Sequence, residues 1–251
     1  MTEMLFRLQN PSCAPITFTS HSIERIAAGH KTQTRRTMYP QPEGEVLVQD
    51  PKSPRHWHLK NDPKQRWRCP YGEVGDRLWV RQVWARIEPF PNVLEDFRMP
   101  VPWRVEKNPV LLHYWRQRVI FLSDFPGKKP EECGRGATDN VWRSPGTMPR
   151  WAARDRLEVT EIRTERLQEI SADDAFAEGV ESAEARRHRH GDFSPGALGY
   201  VNYGPRRGYN FETPQESFAT LWDALNGRQN PWAANCWVWV ISFRRLDECA
   251  A

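Results

Sequence analysis

No apolar run in the 251 residues approaches the ~20 needed to cross a bilayer as a helix, so no membrane span is expected. Cysteine is scarce: Cys13, Cys69, Cys133, Cys236 and Cys249 are odd in number and widely spaced, which excludes a disulfide scaffold and favours reduced thiols. Met1 to Gln9 lacks the basic-then-apolar layout of a secretory signal, and a cytoplasmic location is the expectation. No phosphate-cradling glycine loop, dinucleotide glycine pattern or G-x-S-x-G elbow occurs, which argues against ATP, nicotinamide and serine-hydrolase chemistry. His56-x-His58 and Cys69 lack the second ligand pair of a structural zinc site. Neither a metal nor a cofactor is therefore expected, and nothing in the sequence sets the oligomeric state.

What the chain does carry is a modest basic excess, a net charge of +4 and a pI near 8.9, which suits a phosphate-bearing partner without requiring one. Its 12 tryptophans are large amphipathic groups favoured both in cores and where bases stack, and most are expected in the core. With 39% hydrophobic residues the chain can bury a substantial core. A single domain over 1–251 is expected, with insertions at about 40–70, 85–151 and 181–212.

Local patterns predict short strands and a few capped helices. Pro15 to Thr19 reads as a strand, and Ser20 to Gly29 as a helix capped by Ser20 or Ser22 and stopped by Gly29. Lys31 to Arg36 then runs from a loop into a strand. Pro40 to Pro70, rich in Pro, Lys, Arg, His and Trp, shows no period and reads as an irregular excursion. Asp76 to Trp84 predicts a strand with Leu78, Val80, Gln82 and Trp84 on one face. Ala85 to Trp151 reads as an insertion with one or two strands in Pro109 to Leu122, and Arg156 to Leu167 as a strand. Ser171 to Asp174 opens a helix that ends near Glu178.

Arg186 to His190 reads as a solvated basic loop, with a flexible nucleic-acid arm as the alternative. Thr213, Pro214 and Glu216 open a helix whose apolar face is Phe218, Leu221, Trp222 and Leu225, and Gly227 stops it. Cys236 to Phe243 is a continuous apolar strand, covered on both faces and expected to pair with the Asp76 and Leu157 strands. Strands without βαβ alternation favour an α+β fold built on a small mixed barrel.

The block Gly29-His-Lys31-Thr-Gln-Thr34-Arg-Arg36 resembles the G-x-K-x-x-x-x-R signature of ASCH domains, a branch of the PUA-like superfamily. Gly75 to Arg81, Met148 to Ala153, Leu157 to Thr160, the Glu178-Gly179 helix and Trp237 to Ile241 look like the larger phage-type members, and their order makes the likeness specific. One departure is Gln82, where this group often carries Glu.

The resemblance implies a small PUA-like mixed β-barrel with flanking helices and long inserted loops. It also implies a pyrimidine nucleoside or RNA as partner. Some small ASCH proteins hydrolyse N4-acetylcytidine with a Lys, a Thr and a Glu; by motif position these look like Lys31, Thr34 and Glu178. Gly29, Thr32, Arg36, Arg81 and Trp84 are the accompanying substrate-binding candidates.

The residue chemistry is compatible with that role. A desolvated lysine with a lowered pKa can take a hydroxyl proton, a carboxylate can relay it, and guanidinium groups can hold a carbonyl oxygen. The expected activity is amide hydrolysis on an N4-acylated cytidine. A non-catalytic RNA or modified-base module and a ribonuclease stay as alternatives.

Overall fold

A helix begins where a side chain can accept the free backbone N–H groups of its first turn, and in this computed structural model the three helices among the described residues follow that rule. The structure describes residues 12–86, 119–133, 141–182, 199–204 and 208–246. The Met1 start, the Arg186 to His190 loop and most of the expected Pro109 to Leu122 strands lie outside the described residues.

Helix α1 (Ser20–Ala27) is capped by Thr19, whose Oγ1 accepts from the Ser22 backbone N–H at 3.2 Å, in place of the expected serines. Helix α2 (Ala172–Ala177) is capped by the Ser171 hydroxyl, which accepts from the Asp174 N–H. Helix α3 (Pro214–Asn226) has the reciprocal box: Thr213 Oγ1 accepts from Glu216 N–H, and Glu216 accepts from Thr213 N–H. On α3, Phe218 and Trp222 are buried, whereas Leu225, expected on the same face, is 53% exposed.

The architecture is α+β and dominated by strands, and the chain divides into two compact units. The first comprises 1–27, 75–158 and 245–251. In it β1 (Cys13–Thr17) pairs in parallel with β6 (Arg77–Arg81), and β6 pairs antiparallel with the start of β9 (Arg156–Arg166). A second ladder joins β7 (Trp84–Arg86) to β8 (Val119–Phe121).

The expected Asp76 to Trp84 strand therefore breaks after Arg81, and Trp84 opens the next one. This puts Trp84 in one apolar cluster with Trp79, Val119, Phe121, Met148 and Trp151, away from the predicted Leu78 and Val80 face. Gln82 is buried, with its Oε1 accepting from the Ser123 hydroxyl at 2.8 Å.

The second unit comprises 28–74 and 159–244. Here the strand order is β9, β12 (Trp237–Leu246), β2 (Gln33–Thr37). The final strand thus lies between the Leu157 strand and β2, and not beside the Asp76 strand as expected. Its apolar residues divide by alternation: Val238 and Val240 join Leu167, Ile170, Ala175, Phe218 and Trp222 in a core, and Trp239 packs edge-on against Trp57 at 4.9 Å.

The Pro40 to Pro70 excursion is more regular than its composition suggests. It forms a three-stranded antiparallel sheet, β3 (Leu47–Gln49), β4 (His56–Leu59) and β5 (Asp62–Arg68), with Trp57, Leu59 and Trp67 buried on one face. The His-Trp-His-Leu alternation is the signal that its prolines and charges obscured. A hairpin of β10 (Tyr200–Asn202) and β11 (Gly208–Phe211) completes the unit.

None of the described sheets closes into a barrel. Where the chain enters β2, Thr32 donates its backbone N–H to Ala177 O at the end of α2. Among the described residues no helix is long and apolar enough to cross a membrane.

Candidate functional site

Two glycine turns deliver the chain to the site. Gly29, at φ +75°, ends α1 in the left-handed region and releases the chain towards Lys31; Gly179, at φ +93°, ends α2. Glu178 is the α2 C-cap, held by its N–H to Asp174 O at 2.9 Å. Thr32 fastens the two segments, donating to Ala177 O at 2.9 Å and accepting from the Phe243 N–H at 2.8 Å. Its own side chain is exposed.

Lys31 and Glu178, both buried, then meet. The Lys31 ammonium donates to a Glu178 carboxylate oxygen at 2.7 Å and to the Glu178 backbone carbonyl at 2.7 Å. Burial pulls the Lys31 pKa below its usual value, and the Glu178 charge opposes that fall only in part, with Arg36 and Arg35 adding to it. A lysine so placed can release its proton far more readily than a solvated one.

The register of β2 on β12 decides which faces its side chains occupy. Directly opposed antiparallel residues share a face, so Gln33 and Arg35 lie with Ser242 and Val240, while Thr34 and Arg36 lie with Ile241 and Trp239. Arg35 is fully buried: it donates to Glu165 at 2.8 Å and Asp174 at 2.9 Å, faces Glu178 at 3.5 Å, and stands over the Phe218 ring at 5.8 Å.

Arg163 closes the network, donating to Asp174 at 2.7 Å and to Glu165, so Lys31, Arg35 and Arg163 face Glu165, Asp174 and Glu178. Partial burial alone would raise the Asp174 pKa, yet hydrogen bonds from Arg35 and Arg163 hold it below the usual carboxylate range. Arg36 adds a fourth cation; desolvation lowers its pKa, and the nearby Tyr71 and Glu178 partly offset this. Burial raises Tyr71 despite Arg36.

The structure thus brings Lys31, Glu178 and Arg36 into one charged neighbourhood. Thr34 is buried on β2, but no hydrogen bond joins its hydroxyl to Lys31 or Glu178 among the described residues. Glu178 Oε1 is buried without a hydrogen-bond partner among them. Arg81 and Trp84 belong to the first unit. There Arg81 lies over the Trp79 ring at 4.6 Å, and Trp84 is a packing residue whose Nε1 donates to Thr147.

Sequence reasoning missed Arg35, Arg163, Glu165 and Asp174. The alternation of Arg163 and Glu165 on one β9 face was legible, but their partners on β2 and α2 were not. His56 and His58 have local partners, the Ser53 hydroxyl at 2.7 Å and the Leu59 carbonyl at 3.0 Å. Among the described residues no three His, Cys, Asp or Glu side chains gather as metal ligands. Compared with known proteins, the chain matches no family model, no curated protein and no solved structure.

Proposed function

We propose that this chain is an ASCH-type, PUA-like protein that hydrolyses the acyl amide of an N4-acylated cytidine or related pyrimidine nucleoside, with Lys31 and Glu178 as its acid–base pair. The observation that carries the reading is their buried contact at 2.7 Å, made by residues 147 positions apart that the motif resemblance had paired independently. Buried acid–base pairs with a lowered lysine pKa are a recurring property of active sites.

In the proposed reaction a water gives a proton to Glu178 Oε1, the oxygen with no hydrogen-bond partner among the described residues, and attacks the acyl carbon. Arg36 stabilises the negative charge that develops on the carbonyl oxygen. The carbon–nitrogen bond then breaks as the Lys31 ammonium protonates the departing N4, and Lys31 regains its proton from Glu178. The products are the free nucleoside and a carboxylic acid. Water is the nucleophile in this scheme because the Thr34 hydroxyl is not hydrogen-bonded to either member of the pair.

A binding-only module for a modified base is the second reading, favoured by the ion pair that already engages the Lys31 ammonium with Glu178 and by the absence of a hydrogen bond from the Thr34 hydroxyl to either. Chromatography of N4-acetylcytidine incubated with the purified chain separates the two. Cytidine should accumulate with the wild type and not with Lys31→Ala or Glu178→Gln; saturable binding without product would establish the module and overturn the hydrolase.

A further inference from the structure

A guanidinium taken out of water gives up its hydration, a loss that an apolar side chain in the same place would not suffer. Arg35 stands at such a place. On β2 it lies opposite Val240, and its guanidinium sits 5.8 Å from the Phe218 ring, both members of the apolar core of the second unit. Packing alone gives no reason for a charge there.

Its polar contacts supply one. Nη2 donates to Glu165 at 2.8 Å and to Asp174 at 2.9 Å, so strand β9 and helix α2 together hold the group in place. Nη1 has no hydrogen-bond partner among the described residues and faces Glu178 Oε1 at 3.5 Å. That separation exceeds the ~2.7–3.2 Å of a hydrogen bond, yet opposite charges so close in a buried site still attract. The other Glu178 oxygen takes the Lys31 ammonium at 2.7 Å. One carboxylate thus serves two cations, one on each oxygen.

Cations that share a carboxylate compete for it. Burial is the main reason that the Lys31 proton is loosely held; Glu178 opposes this, and repulsion from Arg36 and Arg35 adds to it. Arg36 has Tyr71 beside it, and Arg35 is surrounded by Glu165, Asp174 and, through them, Arg163. We propose that Arg35 is a positioning residue of this site: fixed by Glu165 and Asp174, it engages one oxygen of Glu178 while Lys31 engages the other, and so sets how tightly Lys31 keeps its proton. The effect on turnover rests on the acid–base reading of Lys31 and Glu178, whereas the charge coupling does not.

The test is nitrogen-15 NMR of the lysine side chains of the full chain as a function of pH, the Lys31 signal being the one that Lys31→Met removes. Arg35→Met removes the charge and keeps the place apolar, so the Lys31 midpoint should rise by about 1 pH unit. Glu165→Gln removes a negative charge that opposes Arg35, so the midpoint should fall. Water entering a loosened site would raise it in both variants, towards the ordinary 10.5 of a lysine. Opposite signs therefore separate a charge effect from lost packing. Circular dichroism verifies folding, and if Arg35→Met does not fold, the direction in Glu165→Gln decides.

In the hydrolysis assay Arg35→Met should lower kcat at pH 7 about three- to tenfold, the loss from an acid weakened by about 1 pH unit, with KM unchanged. The alkaline limb of kcat should move up with the Lys31 midpoint. Midpoints that stay still or rise in both variants, or a kcat profile scaled by one factor at every pH, overturn the role of Arg35. A wild type that hydrolyses nothing overturns the acid–base reading instead, and the titration then decides the coupling by itself.

Discussion

Replacing Glu178 by Gln keeps the shape of the site and removes the one carboxylate that faces the Lys31 ammonium at 2.7 Å. Lys31 is then left buried near Arg35 and Arg36, two cations that already oppose its charge. It has two courses: stay protonated without a counter-charge, or give up its proton. The second sets a ceiling, because neutralising at pH 7 a lysine of ordinary pKa 10.5 costs about 5 kcal/mol, at about 1.4 kcal/mol per pH unit.

The expected loss at pH 7 is therefore about 3–5 kcal/mol, the range for breaking a buried ion pair. It should shrink as pH rises towards 10, because the proton that Lys31 must surrender becomes cheaper to remove. Lys31→Met is expected to cost less, about 1–3 kcal/mol, since Glu178 keeps Arg35 at 3.5 Å. Urea unfolding of the full chain, followed by tryptophan fluorescence at pH 7 and pH 9.5, reads both effects. A Glu178→Gln penalty under about 1 kcal/mol, or one unchanged between the two pH values, would refute this account of the pair.

In the hydrolysis assay Lys31→Ala and Glu178→Gln should each reduce kcat by at least ~100-fold, whereas Thr34→Ala should lose less than ~10-fold; the reverse order would make the threonine hydroxyl the nucleophile. The folded-state pKa of Asp174 lies below its ordinary 3.8, so its contribution is present above pH ~4 and is lost as pH falls through the folded value. Acid titration of the urea midpoint should accordingly be shallower for Asp174→Asn than for the wild type. Burial pushes the Cys69 thiol up to about 11, so it should resist iodoacetamide at pH 8 until urea unfolds the chain. Trp57→Ala, which leaves a cavity beside Leu59 and Trp67 on the buried face of the β3–β5 sheet, should cost about 3–5 kcal/mol by urea unfolding, and a loss under about 1 kcal/mol would mean that Trp57 is not part of a packed core.

What the sequence determined by itself is local. The Ser171 and Thr213 caps, the Gly29 stop, the end of α2 near Glu178 and the β9 and β12 strands follow from side chains acting on backbone within a few residues, or from an apolar run of strand length. Motif order also drew attention to Lys31 and Glu178. What tertiary structure alone decided is pairing and facing.

The shift of Trp84 away from the Leu78 face needed the break after Arg81, which no residue type announces. The β3–β5 sheet was hidden because its exposed face is charged and only every second residue is apolar, so the composition resembled a loop. Arg35 and Arg36 are adjacent and chemically identical, yet β12 opposite them sends one into a carboxylate network and the other towards Tyr71. Alternation along a strand separates neighbours to opposite faces, but which face meets which partner is settled only when the strands align.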